Sequence, residues 1–171
     1  MIEVSQLRKS FGTQEVLRGV NLSISRGESA VIIGGSGCGK SVLLRHIIGL
    51  IQPDSGDVRI EGESIVNLSE RELIKVRRKF GMLFQSAALF DSLTVAENVG
   101  FLLDREEIMS REAIRKTVAE ALELVDLGGT ENKKPAELSG GMRKRVGLAR
   151  AIIYKPEIIV YDEPTTGLDP V

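Results

Sequence analysis

The sequence predicts an α/β fold with a core built on a parallel sheet, an N-terminal antiparallel β layer and an inserted helical lobe. Three apolar runs without alternation predict the core, because a strand covered on both faces is hydrophobic along its whole length. These runs are Ala30–Ile33, Phe80–Phe84 and Ile158–Tyr161. Alternation of polar and apolar residues near the N-terminus predicts the antiparallel layer, and helical periodicity between the last two runs predicts the lobe.

The antiparallel layer is predicted from a period of two. Val20, Leu22 and Ile24 are separated by polar residues, and residues 57–61 follow the same pattern. This spacing places the apolar side chains on one face of each strand and leaves the other face in water. Met1–Leu7 is expected to add a further strand to the layer.

Helices are predicted in the stretches between the strands. Apolar residues from Val42 to Ile48 keep helical spacing after the first core run. Ser69 and Glu72 have the spacing of a capping box, which predicts the start of a short helix. One apolar stripe within Ser110–Leu127 predicts a longer helix. Its members are Ile114, Val118, Ala121, Leu122 and Val125.

The chain is expected to form a single domain over residues 1–171, with the lobe inserted between core strands. The buried-strand pattern stops at Phe84 and returns only at Ile158, so residues 86–138 are assigned to the lobe. Residues 1–85 and 139–171 supply the β layer and the core. A chain of 171 residues that is 42% hydrophobic and 27% charged matches a globular domain.

The residues after the first core run match the phosphate-binding pattern G-x-x-x-x-G-K-S/T. Glycines allow successive backbone N–H groups to face an anion, and the N-terminus of the following helix adds partial positive charge. Lys40 would reach the β- and γ-phosphates, and Ser41 would offer its hydroxyl to Mg²⁺. The flanking strand and helix patterns favour phosphate binding over an incidental glycine-rich turn. The matching residues are Gly34, Gly35, Ser36, Gly37, Cys38, Gly39, Lys40 and Ser41.

Polar residues also follow the other two core runs. Asp162 and Glu163 end the last run, and adjacent carboxylates there are costly unless they meet cations or protons. We expect Asp162 to hold Mg²⁺. Glu163 is expected to act as the general base on the water molecule that attacks the phosphate. Gln85 follows the middle run and would contact Mg²⁺ and that water. The alternatives are a solvated strand end for the two acids and a surface turn for Gln85.

A second glycine cluster lies at 138–142 and opens a helix that runs towards Tyr154. Ser139 has the chemistry of an N-cap. The cluster is either a plain helix start or a second anion-binding helix terminus. Because the whole lobe separates the two loops, one phosphate would touch both only if two chains were arranged head to tail. The cluster consists of Leu138, Ser139, Gly140, Gly141 and Met142.

These loops, in this order, resemble those of ABC-transporter ATPases, a branch of the P-loop NTPases with a RecA-like core. The phosphate loop comes first, Gln85 second, the signature loop at 138–142 third, and the acidic strand end at Glu163 fourth. The resemblance implies ATP and Mg²⁺ as ligands, with catalytic roles for Lys40, Gln85 and Glu163. Ser41, Gln85 and Asp162 would hold the metal.

The same resemblance implies a dimer. Two copies of the domain would sandwich ATP head to tail, each signature loop acting on the nucleotide held by the other copy. Phe11 resembles the aromatic residue that stacks on adenine, although tyrosine is commoner there. Asp169 resembles a residue of the loop that crosses the dimer interface.

A narrower resemblance points to lipid transport. Met142 stands where the family usually has glutamine, and residues 80–93 resemble the ATPases of Mla-type phospholipid and organic-solvent-resistance transporters. The apolar residues Ala87–Phe90 would form lobe core or receive a short helix of a membrane permease, which makes the region Gln85–Phe90 the expected contact. A different transport substrate, or a non-transport ATPase of the same family, is the alternative.

One departure from the family concerns its switch histidine, which lies beyond the interface loop. The only histidine in this sequence is His46, which we interpret as a packing residue of the phosphate-loop helix. The domain is therefore expected to be C-terminally incomplete, to bind ATP and to turn it over slowly.

Charge and composition narrow the functional classes. The formal net charge is −1, so no broad field attracts nucleic acid, and the basic cluster Arg143–Arg145 with Arg150 is interpreted as a solvated helix face. With no long apolar run, the protein is expected in the cytoplasm. The family resemblance implies a peripheral position on the cytoplasmic face of the inner membrane. A small-molecule P-loop kinase would leave Leu138–Met142 unexplained.

Overall fold

The computed structural model describes residues 1–84, 87–105 and 109–162. The chain forms two compact units, Met1–Arg78 and Lys79–Val171. The predicted division into a core and a lobe at 86–138 stays a prediction. Within the described ranges, no helix is long and apolar enough to cross a membrane.

The first unit contains the predicted antiparallel layer. Its four strands are ordered β2-β1-β3-β4, and the apolar side chains of β1 and β3 face a common core in which Leu7 and Val58 are buried. The period of two therefore predicted the layer correctly. The strands are β1 (Ile2–Phe11), β2 (Gln14–Ile24), β3 (Ser55–Ile60) and β4 (Glu63–Ser64).

Glycine sets the close approach of two of these strands. The register of β1 against β3 shifts between Ser5 and Arg8. Opposite this irregularity, Gly56 has a φ of +94°, and a Cβ there would lie 2.5 Å from the carbonyl oxygen of Gln6. Only glycine tolerates both the left-handed backbone and the contact.

Two helices complete the first unit, α1 (Lys40–Ile47) and α2 (Glu70–Arg77). The predicted capping box is present on α2, since Ser69 Oγ accepts from the backbone N–H of Glu72 and the Glu72 carboxylate accepts from the backbone N–H of Ser69. This arrangement satisfies two backbone donors that the first turn cannot pair internally.

The described part of the second unit contains two parallel strands and three α-helices. Strands β5 and β6 pair in parallel, with Leu83 opposite Tyr161. Helices α3 and α4 pack with α5 around a core that includes Val99, Leu122 and Val146. The elements are β5 (Phe80–Leu83), α3 (Val95–Arg105), α4 (Arg111–Glu123), a 3-10 helix (Pro135–Glu137), α5 (Gly140–Ile152) and β6 (Ile158–Tyr161).

Two expectations for the core runs were wrong. Ala30–Ile33 forms no strand, and Val31 and Ile33 are 83% and 91% exposed. No described strand of the first unit pairs with this run, and without a partner its backbone lacks a ladder of hydrogen bonds. Strand β6 is covered on one face only, since Ile159 is exposed and Val160 is buried.

Candidate functional site

The phosphate loop forms a tight turn that leads directly into α1. The N–H of Cys38 donates to the carbonyl oxygen of Gly35 at 3.3 Å, and the N–H of Leu43 donates to that of Gly39 at 2.8 Å. Gly39 is the N-cap of α1, has a φ of +98° and provides no side-chain cap. No acidic residue lies in the first turn of α1, so the positive end of the helix dipole keeps its full attraction for an anion.

Two glycines of the phosphate loop lie too close to neighbouring side chains for any larger residue to replace them. A Cβ at position 34 would lie 2.6 Å from Cys38 Sγ, and one at position 39 would lie 3.0 Å from Val16 Cγ1. Glycine is therefore required at these two positions, and residues 34–38 of the loop are exposed. This is the arrangement that phosphate binding requires.

Lys40 places its ammonium group over the loop. Its Nζ donates to the carbonyl oxygens of Gly34 at 2.9 Å and Gly35 at 3.0 Å. The cation thus lies beside the backbone where a phosphate would bind. Ser41 follows in the first turn of α1 and is half-buried, as expected of a hydroxyl next to the loop.

Phe11 lies at the end of β1, opposite Gln14 in the β1–β2 hairpin. Its side chain is 48% exposed, and the Lys9 ammonium lies 5.7 Å from the ring centroid. The hairpin contacts the loop, because Val16 of β2 lies against Gly39. An exposed aromatic ring on this hairpin has the chemistry to stack on a base.

Asp162 follows β6 in the second unit and is 7% exposed. Its backbone N–H donates to the carbonyl oxygen of Leu83 at 3.0 Å, so the carboxyl ends of β5 and β6 meet at one edge of the sheet. Gln85 comes two residues after Leu83 in the sequence. Open α/β sheets bind ligands at such an edge.

Three predicted site residues, Gln85, Glu163 and Asp169, lie outside the described residues. Their roles therefore stay predictions. Of the predicted metal ligands, the structure places Ser41 in the first unit and Asp162 in the second.

The signature loop opens α5 as predicted. Ser139 Oγ accepts from the N–H of Met142 at 3.2 Å and caps the helix, and Gly140 and Gly141 are its first two residues. Arg143 Nη1 donates to the carbonyl oxygen of Leu138 at 2.7 Å, which fixes the entry into the helix. No acidic side chain lies in the first turn, so this helix terminus also attracts an anion.

The expectation of a solvated basic face on α5 was wrong for Arg150. Its guanidinium donates to the carbonyl oxygens of Ala87 and Ala88, and burial lowers the pKa of Arg150. The sequence could have indicated that Arg150 is partly buried. Arg150 comes directly after Ala149, which lies with Val146 on the apolar stripe of the helix. A basic residue at the border of such a stripe packs its stem on the core.

Comparison with known proteins identifies the family. A family model described as ABC transporter matches residues 17–166. The probable ribonucleotide transport ATP-binding protein mkl of Mycobacterium leprae is 50% identical over 99% of this chain and 49% of its own length. The protein TRIGALACTOSYLDIACYLGLYCEROL 3, chloroplastic, of Arabidopsis thaliana is 48% identical over 100% and 51%. The methionine import ATP-binding protein MetN of Brucella abortus is 44% identical over 99% and 46%.

The chain spans about half the length of these curated relatives. Two solved structures of the ATP-binding cassette MJ0796, both dimeric, share 39% identity with it. They cover 99% of this chain and 76% of their own, with TM-scores of 0.91 for a post-hydrolysis state bound to ADP and Pi and 0.92 for the other. These matches confirm the fold class predicted from the sequence. The chain belongs to the ABC transporter family.

Proposed function

We propose that this chain is the ATP-hydrolysing motor of a bacterial transporter and that phospholipid is its transported substrate. The observation that carries the ATPase is the phosphate loop, where Lys40 lies over an exposed backbone turn at the start of α1. Two observations support a lipid as the transported substrate. Residues 80–93 resemble those of Mla-type phospholipid transporters, and the name of the Arabidopsis relative contains a glycolipid. The relatives named for ribonucleotide transport and methionine import favour another substrate class.

Binding of ATP would begin with an exchange of partners at Lys40. The ammonium would give up its two carbonyl acceptors, Gly34 and Gly35, and donate to the β- and γ-phosphates. A hydrogen bond between two ionised groups is stronger than one to a neutral carbonyl, so the exchange favours the bound state. The N–H groups of 34–39 would donate to the same phosphates, and Phe11 would stack on the adenine.

Hydrolysis needs an activated water and stabilisation of the charge on the γ-phosphate. Glu163 would accept the proton of the attacking water, and Gln85 would orient that water. Ser41, Gln85 and Asp162 have the hydroxyl, amide and carboxylate oxygens that Mg²⁺ prefers. Bound Mg²⁺ would neutralise charge on the β- and γ-phosphates.

A second copy of the chain would complete the site. The N-terminus of α5 has a capped first turn without acidic residues, and it would bind the γ-phosphate held by the other copy. Leu138 is buried in the helical core of the second unit, which fixes the position of the loop. Asp169 would lie at the interface. The two dimeric cassette structures support the formation of a dimer.

The contact with a membrane permease is assigned to Gln85–Phe90. Phe90 is 45% exposed and its ring centroid lies 4.7 Å from that of Phe101, so the two rings form an apolar surface on the second unit. Through this contact the motor would sit on the cytoplasmic face of the inner membrane. Nucleic acid is not among the proposed partners.

Two substitutions test the ATPase. Lys40→Ala should abolish MgATP binding, whereas Glu163→Gln should bind MgATP normally and stop hydrolysis, because Lys40 contacts the ground state and Glu163 acts on the transition state. Isothermal titration and phosphate release measure the two properties. Lys75→Ala is the matched control, since Lys75 is an exposed lysine of the same unit. Equal loss of ATP affinity in the Lys40 and Glu163 variants would contradict these roles.

A further inference from the structure

The segment after Gln85 has an unusual backbone. Ala87 and Ala88 both adopt left-handed conformations, with φ values of 60° and 46°. Residues other than glycine and asparagine rarely adopt this backbone conformation. Contacts with other parts of the chain must therefore hold Ala87 and Ala88 in place. Ala87 is also completely buried.

One arginine of α5 supplies these contacts. Arg150 Nη1 donates to the carbonyl oxygen of Ala88 at 2.7 Å, and Nη2 donates to that of Ala87 at 2.5 Å. The planar guanidinium thus spans two consecutive carbonyls. One turn earlier on α5, a Cβ at Gly147 would lie 3.1 Å from the Cβ of Ala87, so the helix also packs directly on the segment.

A buried asparagine of α3 fixes the other end of the segment. Asn98 is completely buried. Its Oδ1 accepts from the N–H of Phe90 at 2.8 Å, and its Nδ2 lies within hydrogen-bond distance of the carbonyl oxygens of Phe90, Leu93 and Thr94. Residues 87–94 are therefore held by α5 at one end and by α3 at the other.

We propose that Arg150 is a positioning residue that transmits movement of the signature loop to the surface around Phe90. Helix α5 begins at that loop and continues without a break to Ile152, so a displacement of its N-terminus also displaces Arg150. The guanidinium then carries Ala87 and Ala88 with it. This inference rests on the proposed function, since it needs ATP to draw the signature loop towards a second copy.

Arg145 provides a matched control on the same helix. Its Nη1 also donates to two main-chain carbonyls, those of Val125 and Asp126, at 3.2 and 3.3 Å. These carbonyls lie just after α4, away from residues 87–94 in the sequence. Loss of Arg145 removes the same kind of contact without touching the segment that carries Phe90.

Hydrogen exchange of the full chain tests the proposal. In the unsubstituted chain and in Arg145→Ala, MgATP should change the exchange rates of the amides at 87–94 by at least about threefold. The cause would be a shift in the local opening equilibrium of this segment. In Arg150→Ala and Arg150→Lys this response should disappear, while MgATP affinity stays unchanged. The lysine variant is decisive because it keeps the charge and the aliphatic stem but cannot span two carbonyls in one plane.

The outcomes separate this inference from the proposed function. Failure of the unsubstituted chain to bind MgATP would overturn both. Binding of MgATP without a response at 87–94 would overturn the inference alone. Arg150 has only a structural role if the exchange response at 87–94 is undiminished in Arg150→Lys. The same conclusion follows if the Arg145 and Arg150 variants lose Tm and the exchange response to the same extent.

Discussion

His46 is a buried histidine in the helix that follows the phosphate loop. It is 1% exposed, and its Nδ1–H donates to the carbonyl oxygen of Val42 at 2.7 Å. Burial lowers the pKa of His46 below its ordinary value of 6.5, although the bond to Val42 opposes the shift. These contacts agree with the packing role expected from its position in the helix.

The lowered pKa makes stability depend on pH. Because the unfolded chain binds the proton more tightly, the free energy of unfolding should fall as pH decreases from 6.5 and should be fully retained above it. Urea denaturation between about pH 5 and 7.5 measures this, since ordinary carboxyl groups titrate lower. His46→Gln, which keeps a donor for Val42, should lose the slope. The same slope in both proteins would show that His46 is not its source.

Residues of the phosphate loop were predictable because their chemistry is local. Gly34 and Lys40 act through a fixed spacing in the sequence, and the structure brings Lys40 Nζ onto the carbonyl of Gly34. The partners of Arg150 were not predictable, since its acceptors lie 62 and 63 positions away. Such long-range contacts depend on packing that periodicity does not encode.

At the scale of elements, alternation predicted strands well and apolar runs predicted them less well. Strands β1 to β3 bury one face each, and a period of two encodes this directly. Ala30–Ile33 has the composition of a buried strand, yet it forms none in its unit. A run of this kind becomes a strand only when neighbouring strands supply partners, which is a property of the whole sheet.

The segment between β5 and α3 is the element proposed to contact the permease. Phe90→Asp should abolish permease-stimulated ATP hydrolysis and phospholipid transfer in proteoliposomes, while basal hydrolysis stays intact. The side chain is about half exposed, so a carboxylate there removes apolar contact area without being buried. Leu124→Asp is the control, because Leu124 is a more exposed apolar residue of the same unit.

Thermal unfolding separates this role from a packing role. A large fall of Tm in Phe90→Asp, beyond that of Leu124→Asp, would assign Phe90 to the lobe core. Transfer of methionine or a ribonucleotide, but of no phospholipid, by the unsubstituted complex would contradict the lipid assignment alone.

In the whole molecule, the two helix termini that we propose as anion-binding sites belong to different units of the chain. The phosphate loop belongs to Met1–Arg78 and the signature loop to Lys79–Val171. Their residues and their order were evident from the sequence. The separation of the two loops along the chain already pointed to two copies arranged head to tail, and the family resemblance implies the same arrangement. In the proposed dimer, the signature loop of one copy covers the ATP that is bound by the other copy.

A single variant isolates the contribution of the signature loop. Gly141→Asp places a carboxylate in the first turn of α5, where it stabilises the helix through the dipole but repels a phosphate. The variant should therefore fold and bind MgATP like the unsubstituted chain but fail to dimerise. Lys40→Ala should fail at both steps.

Sedimentation velocity of Glu163→Gln with and without MgATP shows whether the signature loop of one copy acts on the ATP of another. We expect monomers without nucleotide and dimers with it, each dimer holding two ATP molecules. Adding Gly141→Asp should leave only ATP-bound monomers. A dimer that forms without nucleotide, or that persists with Gly141→Asp, would contradict a signature loop that acts on the ATP of the other copy.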